Sequence, residues 1–174
     1  IAKGFGLNLL GADPKLDENA AKEHGIKLVS QTELFQHSDI ISLHCPLNNS
    51  TQHIINERAF NLMKKGVILL NTGRGALIDH PALINALKSK KVGYVGLDVY
   101  EQEQGVFFYD HSEDIIDDDI LMRLMSFPNV LITSHQGFFT HEALTSIATT
   151  TLLNVKNFEQ GQTSNAIDLS GIPC

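Results

Sequence analysis

Short apolar runs alternate with segments of helical spacing along the whole chain, and this alternation limits the possible fold more than any other feature. The six runs are Leu7–Ala12, Ile26–Val29, Asp39–His44, Val67–Asn71, Gly93–Leu97 and Val130–Thr133. Most are nearly continuous Val, Ile and Leu, which is typical of strands buried on both faces. Strands separated by helices are joined by crossovers, and crossovers produce a parallel sheet. The sequence therefore predicts an α/β fold with a doubly wound parallel sheet.

The predicted helices lie between these runs and after the last one. They cover residues 17–23, 31–36, 56–63, 80–89 and 118–125, with a long C-terminal helix over 141–160. The first six residues read as the tail of a helix that ends at glycine, and Ile1 is not an initiator Met. We therefore expect a piece of a longer protein, truncated at its N-terminus. The tail 161–174 is rich in Ser, Gly, Thr and Asn and is expected to have little structure.

Composition excludes several classes of function. The 174 residues are 43% hydrophobic, which is enough for one globular domain with a core. No run approaches the roughly 20 apolar residues of a membrane span, and the start lacks a secretory pattern. A net charge of −7 argues against a nucleic-acid partner. The cysteines, Cys45 and Cys174, form no C-x-x-C pair, so we expect a reducing, cytoplasmic location and no thiol-redox site.

Polar and reactive groups follow five of the predicted strands directly. In open parallel sheets, ligands bind beyond the carboxyl ends of the strands. The groups at these positions are Asp13, His44 to Pro46, Thr72 to Gly75, Asp98 to Glu103, and His135. The sequence therefore predicts a ligand site at this edge, although loops after strands are polar in many proteins.

Asp13 follows its predicted strand directly. An acidic group here is where a Rossmann domain binds the adenosine ribose, and its charge would repel the additional phosphate of NADP. This pattern favours NAD as the cofactor and a Rossmann-like sheet. The alternative is that Asp13 and Pro14 open a turn and Asp17 caps the next helix. The glycine fingerprint G-x-G-x-x-G that should precede Asp13 by about 20 residues is not in the chain.

Arg74 stands between two glycines at the end of a buried strand. Gly73 and Gly75 would let the backbone turn sharply and project the guanidinium, whose fork matches a carboxylate. Arg74 is therefore a candidate anion-binding residue. An arginine in a loop is otherwise usually just solvated.

His135 ends the last strand and is a candidate general acid. It would need a carboxylate at its other ring nitrogen, and Glu103 is a candidate for that part. Spacing alone does not show that the two residues meet. The remaining histidines show no H-E-x-x-H pattern and no G-x-S-x-G elbow is present, so neither a metal site nor a triad hydrolase is expected.

Five motifs occur in an order that resembles the D-isomer-specific 2-hydroxyacid dehydrogenases. They read LLGADP, DIISLHCPL, NTGRGALID, GLDVYEQE and TSHQGFFT, and the likeness extends over nearly the whole chain. Residues 105–119 resemble the insertion found in the D-lactate dehydrogenases of this family. Relatives that act on phosphoglycerate or glycerate usually have a proline where Gln104 stands.

The resemblance implies roles for three residues in catalysis. Arg74 would bind the carboxylate of a small 2-oxo acid, and His135 would protonate its carbonyl oxygen as hydride arrives from NADH. Glu103 would hydrogen-bond His135 and strengthen its hold on that proton. Phe138 or Phe139 would pack near a small methyl substituent.

The resemblance also implies an NAD site. Asp13 would bind the adenosine ribose and Asp98 would face the nicotinamide. The set lining the cofactor channel would be Cys45, Pro46, Thr72 and Gly73, together with Arg74 and His135. Thr51 is also a candidate cofactor contact, but many relatives have an asparagine there.

The resemblance finally implies a domain plan and leaves alternatives open. Residues 1–155 would form a partial NAD-binding domain without its glycine loop, and 156–174 would pack on an absent substrate domain. The isolated chain would then be inactive, and the complete protein would be a homo-oligomer. The first expectation is reversible reduction of pyruvate to D-lactate. The alternatives are a sibling enzyme for a bulkier 2-oxo acid and a non-catalytic NAD-sensing scaffold of the kind represented by the C-terminal-binding-protein corepressors.

Overall fold

A computed structural model describes residues 1–163 and 165–166, and every strand pair in it is parallel. The strands are β1 Leu9–Gly11, β2 Ile26–Leu28, β3 Ile40–Leu43, β4 Val67–Asn71, β5 Val92–Leu97 and β6 Val130–Ile132. Each lies within, or one residue beyond, a predicted apolar run. The α/β class predicted from the alternation is confirmed.

The strands form two sheets rather than the one expected. β1 pairs with β2, and the second sheet has the order β3-β4-β5-β6. A sheet is continuous only where backbone hydrogen bonds link neighbouring strands. Among the described residues, no strand joins the β1-β2 pair to the sheet that contains β3. The four-stranded sheet carries most of the predicted site residues.

The helices occupy the predicted segments. They are α1 Glu18–Glu23, α2 Gln31–His37, α3 Glu57–Leu62, α4 His80–Lys88, α5 Asp119–Met125 and α6 His141–Glu159. All six begin after a side chain that accepts a backbone N–H of the first turn, and these capping residues are Asp17, Ser30, Asn56, Asp79, Asp118 and Thr140. Each such cap contributes about 0.5–2 kcal/mol of stability. The chain opens with a short 3₁₀ helix, Ala2–Phe5, which ends at Gly6 with φ 73°, as the sequence predicts.

The core lies between the four-stranded sheet and its helices. Leu69 of β4 and Leu83 of α4 are completely buried, as are Leu77 and Ile78 in the segment between them. α4 contacts β5, and α5 contacts both α4 and β6. This packing fixes the carboxyl ends of β4, β5 and β6, where the candidate site lies.

The chain divides into two compact units, residues 1–135 and residues 136–174. The first unit holds both sheets, and the second holds α6. The boundary predicted at residue 155 remains a prediction. Most of the predicted tail, including Cys174, lies outside the described residues. Across the part of the chain that is described, no helix has the length and apolar character of a membrane span.

Candidate active site

Hydrogen bonds join the ends of three neighbouring strands. The carbonyl oxygen of Asn71, at the end of β4, accepts from the backbone N–H of Asp98 at 2.9 Å. The carbonyl oxygen of Asp98 accepts from the N–H of His135 at 2.5 Å, and the Thr133 hydroxyl donates to the Asp98 carboxylate. The loops after β4, β5 and β6 therefore lie at one edge of the sheet, where the strand-end rule places a ligand.

Glu103 and His135 form an ion-pair geometry at this edge. Oε1 of Glu103 lies 2.8 Å from Nδ1 of His135, and Oε2 accepts the backbone N–H of Tyr100 at 3.0 Å. The side chain of Glu103 is 17% exposed and that of His135 is 34% exposed. Both carboxylate oxygens are thus engaged, and the imidazole is oriented through Nδ1. The carboxylate therefore holds one ring nitrogen and fixes the direction in which the other points.

Backbone strain is concentrated at the same point. Ser134 and His135 both have left-handed backbone conformations, with φ 52° and 58°. Such conformations cost non-glycine residues about 1–3 kcal/mol each, and they cluster at functional sites. The bonds from His135 to Asp98 and Glu103 offset this cost and hold the imidazole beside the carboxylate.

Asn71 shapes the loop that carries Arg74. The Asn71 side chain is completely buried; its Oδ1 accepts from the N–H of Gly73 at 3.1 Å, and its Nδ2 donates to the carbonyl of Arg74 at 2.9 Å. Arg74 itself is exposed, and its Nη1 donates to the Gly73 carbonyl at 2.8 Å. Sequence analysis did not single out Asn71, although an amide at the end of a buried strand was a usable signal.

The two glycines around Arg74 act differently from the prediction. Neither Gly73 nor Gly75 has a positive φ, so neither is needed for a left-handed turn. A Cβ on Gly75 would overlap the backbone of Tyr100 and Glu101, whereas one on Gly73 would make ordinary contacts beginning at 3.5 Å. Gly75 is required because two backbone segments approach closely there.

Sequence analysis also missed a second carboxylate–histidine cluster. Both oxygens of Glu101 lie 3.2 Å from Nε2 of His53, and one lies 3.8 Å from Nδ1 of His80. His80 is 2% exposed, and its burial lowers the pKa of the ring even though Glu101 acts in the opposite direction. His53 and Glu101 are 48 residues apart, so no local spacing could have paired them. In the described ranges, no three His, Cys, Asp or Glu side chains are grouped as metal ligands would be.

Asp13 lies on the other sheet, just beyond β1. It is exposed, and its Oδ1 accepts the backbone N–H of Lys15 at 2.8 Å, while Asp17 caps α1. The alternative in which Asp13 opens a turn is therefore realised. A carboxylate has about four acceptor sites, so this turn leaves capacity for a ribose hydroxyl.

The candidate cofactor residues after β3 form a closed turn. The Thr51 hydroxyl donates to the carbonyl of Pro46 at 2.6 Å, and its oxygen accepts from the N–H of Asn48 at 2.9 Å. Thr51 therefore stabilises the loop itself. Burial raises the pKa of the Cys45 thiol, which does not favour a reactive thiolate.

Phe138 and Phe139 belong to the second compact unit. Their rings meet edge to face at 6.1 Å, and both side chains are exposed. The expectation that one of them packs near a methyl substituent remains a prediction.

Known proteins match this chain along most of its length. The family model for the D-isomer specific 2-hydroxyacid dehydrogenase NAD-binding domain matches residues 1–137. A D-lactate dehydrogenase from Escherichia coli is 53% identical over 163 residues, covering 94% of this chain and 49% of the relative.

Two solved structures are similar in fold. A D-lactate dehydrogenase from Treponema pallidum aligns with a TM-score of 0.89 and 36% identity, over 96% of this chain and 50% of that one. One from Aquifex aeolicus, complexed with NAD and lactic acid, aligns with a TM-score of 0.84 and 35% identity, over 94% of this chain and 50% of that one. The chain spans about half the length of the relatives it matches. It belongs to the D-isomer-specific 2-hydroxyacid dehydrogenases, and residues 1–137 match the NAD-binding domain of that family.

Proposed function

We propose that the protein carrying this chain reduces pyruvate to D-lactate reversibly, with His135 as the proton donor. The observation that carries the proposal is the Glu103–His135 pair at 2.8 Å, at the carboxyl edge of the four-stranded sheet. The similarity to D-lactate dehydrogenases over nearly the whole chain supports pyruvate as the substrate.

Arg74 is the residue that binds the substrate carboxylate in this proposal. Its guanidinium is exposed and donates a hydrogen bond to a neighbouring backbone carbonyl. Among the described residues, Arg74 forms no ion pair with a carboxylate. A guanidinium presents a planar fork of donors that matches a carboxylate at two points. Binding through both points would orient the carbonyl carbon of the 2-oxo acid.

His135 moves the proton. Glu103 holds Nδ1, which leaves Nε2 to donate to the carbonyl oxygen of the substrate as negative charge develops there. In the oxidation direction, Nε2 takes the hydroxyl proton back, and Glu103 stabilises the resulting imidazolium. A positioned acid of this kind contributes roughly 10²- to 10⁴-fold to the rate.

The residues at the strand ends fit an NAD cofactor. Asp13 would hold the ribose, where its negative charge disfavours the additional phosphate of NADP, and Asp98 would face the nicotinamide. Gly73 lies beside the carbonyl of Leu43, so the loops after β3 and β4 adjoin where the cofactor channel is proposed. NADH supplies the hydride when bound.

A substrate domain outside this chain completes the site in this proposal, and the isolated chain has no turnover. The chain spans about half the length of its relatives. Several apolar side chains on α6 are exposed, among them Ile147, Leu152, Val155 and Phe158. This face supports packing of residues 156–174, and of the end of α6, on that domain.

The test uses the full-length protein that carries this chain. We expect pyruvate-dependent oxidation of NADH with D-lactate as product. His135→Ala abolishes turnover and leaves NADH binding intact, and His37→Ala, which changes an exposed histidine at the end of α2, retains activity. Full activity in His135→Ala would overturn the proposal, and turnover by the isolated chain would overturn the need for a second domain.

Two other outcomes correspond to the alternative functions. Faster turnover on longer 2-oxo acids than on pyruvate would identify the enzyme for a bulkier substrate. NADH-dependent dimerisation without reduction of any 2-oxo acid would identify the scaffold.

A further inference from the structure

The ring of Phe108 lies against the imidazole of His135. The two ring centroids are 6.0 Å apart, and the rings are tilted by 50°. Phe108 is 57% exposed, so one side of the ring contacts the proton donor while much of its surface remains open. An exposed phenylalanine alone needs no explanation, but one that touches the acid of a candidate active site does.

Neighbouring contacts fix the position of Phe108. The N–H of Phe107 donates to the carbonyl of Glu103 at 2.8 Å, and the Phe107 ring lies 6.2 Å from that of Tyr100. Phe107 is half-buried and packs against the core. The Phe107 side chain packs on the core, and its backbone N–H is bound by the Glu103 carbonyl. These contacts hold the next residue, Phe108, beside His135.

The other end of the segment is also tied to Tyr100. The buried Tyr100 donates its hydroxyl proton to Asp118, whose carboxylate oxygens both lie 2.9 Å away. Asp118 also caps α5 by accepting the N–H of Leu121. Both ends of the segment 105–118 therefore contact Tyr100, whose backbone N–H binds Glu103. These contacts fix the segment next to the Glu103–His135 pair.

This placement has consequences for a substrate. A carbonyl oxygen that receives a proton from His135 lies within about 3 Å of the imidazole. The rest of a small substrate bound there then reaches the Phe108 ring, which lies beside the imidazole. An apolar substrate side chain gains by removing the Phe108 surface from water. A charged side chain loses hydration there and finds no partner on the ring.

We propose that Phe108 is a specificity-determining residue that favours 2-oxo acids with small apolar side chains over those with a charged side chain. The inference rests on the proposed function of this site. Phe108 discriminates by contact with the substrate, whereas Arg74 binds the carboxylate that all such substrates share.

The experiment compares pyruvate with oxaloacetate, a 2-oxo acid with a carboxylate in its side chain. The quantity measured is kcat/KM for pyruvate divided by kcat/KM for oxaloacetate. In the full-length protein, Phe108→Ala lowers this ratio about 10-fold or more, because one apolar wall of the site is lost. Phe108→Leu keeps most of the ratio because it keeps an apolar surface, and Phe108→Asn lowers it as Ala does. NADH binding is unchanged in all three variants.

Tyr109→Ala is the matched control. Tyr109 is the next residue, is 70% exposed and contacts His111 rather than His135, with centroids 6.5 Å apart. We expect its ratio to equal that of the unchanged protein. A ratio that stays within about 2-fold in Phe108→Ala and Phe108→Asn, or that changes equally in Tyr109→Ala, overturns the proposal.

The two levels of inference fail differently. If the unchanged protein reduces neither substrate, the proposed function is wrong and the role of Phe108 falls with it. If the unchanged protein reduces pyruvate and the ratio is insensitive to residue 108, only the role of Phe108 is wrong.

Discussion

The backbone of Gly75 packs directly against the carbonyl group of Tyr100, with no space for a Cβ atom between them. Gly75 directly follows Arg74, and the N–H of Tyr100 is bound by Glu103. The contact therefore joins the loop that carries the candidate anion-binding residue to the turn that carries the carboxylate. Through Glu103, it also connects with the imidazole of His135.

The Gly75–Tyr100 contact predicts that Gly75→Ala is destabilising. The new Cβ would overlap backbone atoms that cannot rotate away, so one loop must move, at a cost of about 1–3 kcal/mol in the free energy of unfolding. Gly73→Ala is the matched control because its Cβ meets only ordinary contacts and its φ is not positive, so a change below about 1 kcal/mol is expected. Urea unfolding measures both variants, and equal stability would show that the loops can separate without cost.

The charge on Glu103 predicts the effect of Glu103→Gln. The amide keeps the shape and one hydrogen bond but no longer stabilises a positive imidazole. Charge-assisted hydrogen bonds contribute about 1.5–3 kcal/mol, so kcat for pyruvate reduction should fall roughly 10- to 150-fold. Steady-state kinetics of the full-length protein measure this change in kcat. An unchanged kcat would mean that Glu103 only orients the ring and that its charge contributes nothing more.

Arg74→Lys tests whether the guanidinium binds in two-point fashion. Lysine keeps the positive charge but presents a single ammonium group, so one of two parallel hydrogen bonds is lost. The KM for pyruvate should rise about 10-fold or more, which corresponds to the loss of one charge-assisted bond. Steady-state kinetics give KM, and fluorescence titration shows whether NADH binding changes with it. An unchanged KM would indicate that Arg74 remains solvated in the working enzyme.

The sequence predicts local structure well because its signals are local. Apolar runs and capping residues such as Asp17 and Asp118 depend on neighbours a few positions away, and the observed helices and strands follow them closely. The strand-end rule also identifies the edge where residues 71–75, 98–103 and 135 come together. The division into two sheets was not predicted, because strand pairing depends on which strands meet in space.

Contacts between distant residues follow from packing and not from spacing. Glu103 and His135 are 32 residues apart, so the sequence offers both as candidates but not their 2.8 Å contact. The contacts of Glu101 with two histidines were missed for the same reason, since both partners lie much earlier in the chain. Gly75 shows a further limit: the motif indicates a special backbone, whereas the structure shows close approach rather than a sharp turn.

The burial of His80 predicts a pH dependence of stability. Burial lowers the pKa of His80 below its ordinary value of 6.5, although Glu101 and Asp79 favour the charged ring and His53 opposes it. Below pH 6.5 the unfolded chain therefore binds a proton that the folded protein resists. The contribution of His80 to the free energy of unfolding is therefore fully present above pH 6.5. It is lost as the pH falls from 6.5 to the lowered pKa of the folded state, and it does not change further below that pKa.

His80→Gln should remove this part of the pH dependence. Urea unfolding between about pH 7.5 and about pH 5 should give a smaller loss of the free energy of unfolding in His80→Gln than in the unchanged protein. The absolute stability of the variant can be lower at both ends, because His80 is 2% exposed and packs on the Tyr100 ring at 4.8 Å. His37→Gln serves as the control, since it makes the same substitution at an exposed histidine at the end of α2. Equal slopes in all three proteins would mean that the His80 ring accepts its proton in the folded state as readily as in the unfolded chain.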